Sequence, residues 1–257
     1  MSGTAATLGT GLATSVVVFV LGWLVSLRVG RVNVVDTVWG LSFVAITIAA
    51  LASSDGDASR RALLLVLVSC WGLRLAVHLG VRSRGAGEDP RYAAVLARWE
   101  GRSTLVRVFL VQAVIAWFVA LPLQVGVREQ SRPSALAVVG AALWLVGFVF
   151  ETVGDAQLAA FKKDPRNRGN VLDRGLWRYT RHPNYFGEAC LWFGLYLVVA
   201  QELSGALTVL SPVAMTWFVA AKTGKPLLEA QLSRTKPGYR EYVARTSGFL
   251  PLPPKRG

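Results

Sequence analysis

Apolar residues fall along this chain in long continuous stretches, without the spacing of a surface helix or the alternation of a half-buried strand. Seven stretches approach the roughly 20 helical residues that cross a hydrocarbon core about 30 Å thick. They are Gly9–Leu27, Val34–Leu51, Ala62–Val81, Leu105–Val127, Ala135–Phe161, Tyr185–Ala200 and Leu203–Ala221. Only Gln201 and Glu202 separate the last two, which are short and read equally as one helical hairpin. A membrane strand would alternate polar and apolar positions, so the pattern predicts helices. The expected fold is all-α: a polytopic membrane bundle of about seven transmembrane helices, forming a single membrane domain over residues 1–257. No Lys or Arg precedes Arg28, so the first stretch reads as a retained helix and not a cleaved leader.

Composition supports this pattern. Hydrophobic residues make up 53% of the chain and the mean hydropathy is +0.44, which leaves too few polar residues to coat a soluble domain. A net charge of +13 would suggest nucleic acid in a soluble protein, but here its placement argues otherwise. With the N-terminus outside and seven crossings, 23 Lys and Arg residues fall in cytoplasmic segments and 4 outside. The excess of positive charge inside therefore predicts an outside N-terminus and a cytoplasmic C-terminus. Part of that charge meets anionic lipid, and no nucleic-acid partner is expected. Cys70 and Cys190 lie in different stretches, give no metal spacing, and read as small buried apolar residues.

Ionisable groups inside a bilayer are costly and mark function by default. Asp36 lies three residues into the second helix, with Asn33, Thr37 and Gly40 on its face. Arg74 and His78 are one turn apart near the inner end of the third, as are Glu151 and Asp155 in the fifth; Glu188 is about one turn into the sixth. All six belong to the cytoplasmic leaflet, and the outer half shows no counterpart. A polar cavity opening to the cytoplasm is expected. Arg74 also fits a neutralising partner for Asp36 or Glu151, and His78 a packing histidine.

The densest signal runs from Gly175 to Glu188, GLWRYTRHPNYFGE. Pro183 marks a helix start, where a missing N–H costs nothing. The free N–H groups of that turn favour an anion, and Arg178, Arg181 and His182 crowd the same spot. Gly187 permits close approach to the backbone. Asn184 and Glu188 share a face and can hydrogen-bond a ribose or amide, while Tyr179 and Tyr185 can stack on a flat ring. Together they predict a pocket for a nucleotide-like cofactor; an interfacial aromatic and basic belt is the competing reading.

The segment RYTRHPNYFGE resembles the C-terminal signature of the steroid 5α-reductase superfamily, and also that of the isoprenylcysteine carboxyl methyltransferase family. The segments NVVDTVWG at Asn33–Gly40, WGLRLAVHL at Trp71–Leu79 and EDPRY at Glu88–Tyr92 extend the likeness, as does the tail from Pro226 to Pro251. Over nearly the whole chain it is similar to bacterial relatives of the reductases grouped as a domain of unknown function. The resemblance implies NADPH binding through Asp155, Lys162, Tyr179, Asn184 and Glu188, with Glu151 standing where the reductases have Asn. The basic residues Arg178, Arg181 and His182 and the residues Tyr185, Glu229, Tyr239 and Tyr242 complete the expected cofactor set. It makes residues 131–257 the cofactor half and residues 1–130 the lipid-substrate side. The reductases polarise a substrate ketone with an acid on the second helix and a tyrosine on the third. Asp36 matches the first, but the third helix has Leu75 and no tyrosine near the expected place.

The leading expectation is an NADPH-dependent oxidoreductase, reducing a lipophilic enone or alkene that enters from the bilayer. Asp36, His78 or Tyr92 would hydrogen-bond the carbonyl. S-adenosylmethionine-dependent methyl transfer is the alternative, which His182, Tyr185 and Glu229 would suit. A transporter is disfavoured, because internal repeats and midplane charges are missing. The expected location is a bacterial plasma membrane, with the site facing the cytoplasm.

Overall fold

The computed structural model describes residues 2–84, 87, 92, 102–222 and 225–255. Residues 88–91 of the EDPRY segment lie outside the described residues. Helices dominate: α1 (Ser2–Val29), α2 (Val34–Ala52), α3 (Ala58–Ser83), α4 (Arg102–Val119), α5 (Leu121–Gly126), α6 (Ala135–Lys163), α7 (Pro183–Val199), α8 (Leu203–Ala206), α9 (Leu210–Trp217), α10 (Lys225–Thr235) and α11 (Tyr239–Arg245). No strand occurs among the described residues beyond an isolated bridge of Thr180 with Ser247.

Five helical segments are long and apolar enough to cross a membrane: Gly3–Val29, Val34–Ala52, Ala58–Ser83, Ala135–Lys163 and Leu203–Ala221. Their outward faces carry large apolar side chains, with Val77 66% and Val138 69% exposed. Such surfaces suit hydrocarbon and not water. The protein is therefore an integral membrane protein built of helices. Cys70, expected to be buried, is exposed on α3. Its face of the helix is shared by exposed Val66, Leu73 and Val77, so a small apolar thiol there meets lipid.

Two predicted runs are broken by proline. Pro122 lacks the N–H that would continue α4, and the chain restarts as α5. Leu203–Ala221 is segmented into α8, a 3₁₀ turn at Leu207–Val209, α9 with Pro212 in its first turn, and a π turn at Phe218–Lys222.

The chain divides into two compact units. The first holds Met1–Ala137 and Val198–Ser211; α1 packs on α2 and α4, and α2 on α3. The α2–α3 crossing is set by Gly40 and Gly72. A Cβ on Gly40 would stand 2.3 Å from the Gly72 carbonyl oxygen, and one on Gly72 2.5 Å from that of Gly40. Small residues of this kind let membrane helices approach closely. Gly40 therefore serves helix contact, in addition to sharing a face with Asp36. The core is aromatic: Trp39 lies 5.4 Å from Phe43, which lies 5.5 Å from Trp71.

A buried ionic centre in this unit corrects the expectation that charge gathers at one end only. Arg60, read from sequence as a loop cation, is fully buried and paired with Glu129, 3% exposed. Its guanidinium also donates to the Val198 carbonyl at 3.0 Å and the Ser131 carbonyl at 2.8 Å. Asp57 caps α3 through the Arg60 N–H, and Glu202 accepts from the Ser131 N–H at 3.1 Å.

The second unit holds Val138–Leu197 and Pro212–Gly257. Here α6 and α7 meet through paired glycines. A Cβ on Gly147 would lie 2.4 Å from the Gly187 carbonyl oxygen, and one on Gly194 2.6 Å from that of Gly140.

Candidate functional site

Pro183 begins α7, as its position in the sequence predicts. The Trp177 indole N–H donates to the Gly154 carbonyl of α6 at 3.0 Å, and Gln157 accepts from the Leu176 N–H at 3.0 Å. These bonds fasten the Gly175–Arg178 turn to α6 and aim the start of α7 along it.

The buried acids of α6 then meet the first turn of α7. Glu151 is 3% exposed and Asp155 8%. The Asn184 side-chain amide donates to Asp155 across 3.4 Å. Glu188 is half-buried one turn further along α7. Gly187 was expected to admit a ligand to the backbone. Its close neighbour is α6 itself: a Cβ there would meet the Gly147 carbonyl at 2.5 Å and the Glu151 nitrogen at 2.6 Å. Gly187 thus brings Glu151 against α7, and its contribution to any ligand site is indirect.

A second cluster forms where α10 meets the residues preceding α7. Glu229 accepts hydrogen bonds from Arg181 Nε and from His182 Nε2, each at 2.9 Å. Arg181 also donates to the Val243 and Thr246 carbonyls, at 3.1 and 2.5 Å, which ties the C-terminal segment to the same point. Burial opposes ionisation of Glu229, but the bonds from His182 and Arg181 outweigh it and bring its pKa down to about 2. For His182 burial wins over the pull of Glu229, so its pKa falls below the usual 6.5 and the ring is neutral at pH 7. A neutral ring beside a carboxylate keeps its proton on Nε2. Nδ1 is then a buried acceptor, with no hydrogen-bond partner among the described residues. The ring stacks on Tyr185, with centroids 5.1 Å apart and planes 3° from parallel.

Tyr239 and Tyr242 are buried beside this cluster. Tyr242 donates to the Trp177 carbonyl at 2.5 Å, so it braces the turn before α7. Burial raises both phenols, Tyr239 to about 12, which keeps them protonated. Gly238, at φ 76°, takes the left-handed conformation that starts α11. Lys162 and Arg178 are exposed, and Tyr179 is 44% exposed. All three lie at the surface.

In the first unit, Asp36 and Tyr92 come together: the tyrosine hydroxyl donates to the carboxylate at 2.5 Å. The sequence sought a tyrosine partner on the third helix, whereas Tyr92 lies beyond it. Asn33 donates to the Gly87 carbonyl at 3.3 Å. Arg74 and His78 are half-buried on α3. Neither Arg60–Glu129 nor the Arg245–Asp173 pair stood out in the sequence, because each joins charges that look like ordinary loop residues.

An all-helical membrane protein with a polar α6–α7 face is thus defined by its own geometry. The chain belongs to the family described as "Protein of unknown function (DUF1295)", whose pattern matches residues 22–246. It is also similar to the uncharacterized protein C594.04c of Schizosaccharomyces pombe (strain 972), 27% identical over 274 aligned positions that cover 91% of this chain and 77% of that protein. No solved structure matches.

Proposed function

We propose that the protein is an NADPH-dependent reductase of a lipophilic enone or alkene, akin to the steroid 5α-reductases. The observation that carries this reading is the 2.5 Å hydrogen bond between Tyr92 and Asp36. A phenol held by a carboxyl group is a ready donor for a carbonyl oxygen on which charge develops. In turnover the Tyr92 O–H turns from Asp36 to the substrate carbonyl, and the Asp36 carboxyl group positions the phenol. The second hydrogen of the reduction reaches the product as a proton, replenished from water.

The residues of α6 and α7 suit a dinucleotide. Glu151, Asp155 and Asn184 offer hydrogen bonds to ribose hydroxyls and an amide, and the unpartnered His182 Nδ1 accepts one more. NADPH, when bound, supplies the hydride. Tyr185 gives a flat aromatic surface, already backed by His182.

The same reading carries seven crossings, an outside N-terminus and a cytoplasmic site in the plasma membrane. The 23-to-4 distribution of basic residues supports that orientation. The helix α7, with 17 residues, and the apolar part of α4, Val106–Val119, supply the two crossings beyond the five long ones. A lipophilic substrate would enter from the bilayer.

The Glu229–His182–Arg181 cluster supports a second reading, S-adenosylmethionine-dependent methyl transfer to a lipid-borne acceptor, since a carboxylate and a neutral imidazole suit an amino-acid-bearing nucleoside. The test is turnover of the full chain in proteoliposomes doped with a lipophilic enone. NADPH consumption matched by loss of the enone supports the reductase. Methyl incorporation from S-adenosylmethionine without NADPH consumption overturns it.

A further inference from the structure

The Gly175–Arg178 turn has two faces. Trp177 points inward and is 7% exposed, while Arg174 and Arg178 point to solvent. On the solvent side lies a cavity of about 390 Å³, lined by Asp173, Arg174, Gly175, Arg178, Arg245 and Thr246. Gly175, at φ 61°, takes a left-handed conformation that favours glycine, and a Cβ there would press on the Gln157 side-chain amide. As a glycine it presents only backbone to the cavity wall.

Three guanidinium groups and one carboxylate surround this space, an excess of two positive charges. Asp173 is committed to Arg245, and both are about half exposed. Arg174 lies 6.0 Å from the Phe161 ring. The Arg178 side chain makes no hydrogen bond or ion pair among the described residues. Like charges gathered round one hollow repel each other; Asp173 offsets Arg245 and Asp164 acts on Arg174, which leaves Arg178 without a carboxylate partner among the described residues. Guanidinium forks match phosphate oxygens in geometry as well as charge. The volume exceeds that of a phosphate alone and lies in the range of small-ligand pockets.

We infer that the groove between the Asp173–Arg178 segment and the end of α11 is a binding site for a phosphate group, gripped by Arg174, Arg178 and Arg245. The phosphate belongs either to an anionic lipid headgroup or to a soluble phosphate ester, and the site does not rest on the reductase reading. Asp173 positions Arg245, and the bare Gly175 backbone leaves room for the group that the phosphate carries.

The test uses the full chain in neutral phosphatidylcholine nanodiscs, with two probes. Pyrophosphate is titrated calorimetrically. Phosphatidylglycerol, added at a small fraction, is counted per protein by mass spectrometry. Wild type should retain one of the probes, and the probe retained identifies the source. The Arg174→Gln/Arg178→Gln variant should bind it at least about tenfold more weakly, and Arg168→Gln, at an exposed arginine outside the groove, should not differ from wild type. Should the double variant fail to fold, Arg178→Gln alone is read. Asn184→Ala separates this site from the proposed cofactor site, because it should leave either probe unaffected. Equal binding of both probes by wild type and the arginine variants overturns the proposal.

Discussion

The hydroxyl of Tyr92 donates to the carboxylate of Asp36 across 2.5 Å, although 56 residues separate them. Asp36 reaches this position from the first turn of α2, one turn before Gly40, whose close contact with Gly72 fixes the helix to α3. A polar pair held from a rigid helix is well placed to act on a substrate, since little reorganisation is needed when charge appears. On the proposed function, Tyr92→Phe should lower kcat about a hundredfold or more while leaving NADPH affinity unchanged. Asp36→Asn should lower kcat in the same way. Steady-state kinetics with direct cofactor titration separates the two quantities. A loss confined to cofactor binding would remove Tyr92 from the chemistry.

Gly187 tests packing rather than ligand contact. A methyl at this position meets backbone atoms of Gly147 and Glu151, which cannot swing aside. Gly187→Ala should therefore destabilise the protein by about 2–3 kcal/mol through forced separation of α6 and α7. The check is the melting temperature of the ligand-free protein in detergent. An unchanged melting temperature would show that α6 and α7 do not pack through their glycines.

Arg60 offers a test of buried charge. Arg60→Ala removes the guanidinium that pairs with Glu129 and donates to the Val198 and Ser131 carbonyls, and leaves Glu129 only the weaker donor Ser204 and the Gly205 backbone. Breaking such a pair from one side costs about 3–5 kcal/mol. Replacing both partners, as in Arg60→Met with Glu129→Leu, should cost less than the single change. The comparison of the two melting temperatures reads this directly.

Acid should loosen the second unit in two stages. His182 and Glu229 both have lowered pKa values when folded, so the unfolded chain binds protons more readily than the folded one. Their contributions are present at neutral pH and lost as pH falls. That of His182 declines below its ordinary 6.5, and that of Glu229 between its ordinary 4.5 and about 2. The Glu229 part is worth about 3 kcal/mol from the size of the shift. Melting curves taken from neutral pH down to about pH 3 should show both declines, and Glu229→Gln should lack the second.

Local features were legible in the sequence, and long-range pairings were not. Pro183 announced the start of α7, and the spacing of Glu151, Asp155, Asn184 and Glu188 put polar groups on facing helix sides. Apolar run length marked the long spans. The Arg60–Glu129 pair is invisible in the sequence, because its members lie 69 residues apart and each stands beside an apolar run in what reads as a polar connection. Gly187 reads as a ligand feature in the sequence because one sequence cannot show that Gly147 lies opposite it. Tyr92 is among the donors the sequence offers, but its pairing with Asp36 joins positions 56 residues apart, which one sequence does not show. The breaks at Pro122 and Pro212 follow from a missing N–H, which hydropathy ignores.

A calorimetric titration of the full chain with NADPH, alongside the same titration with S-adenosylmethionine, tests the account at its centre. Saturable binding of NADPH that is lost in Asp155→Ala and Asn184→Ala, with no heat from S-adenosylmethionine, is the expected result. Saturable binding of S-adenosylmethionine with none of NADPH, or NADPH binding that both variants retain, would contradict it.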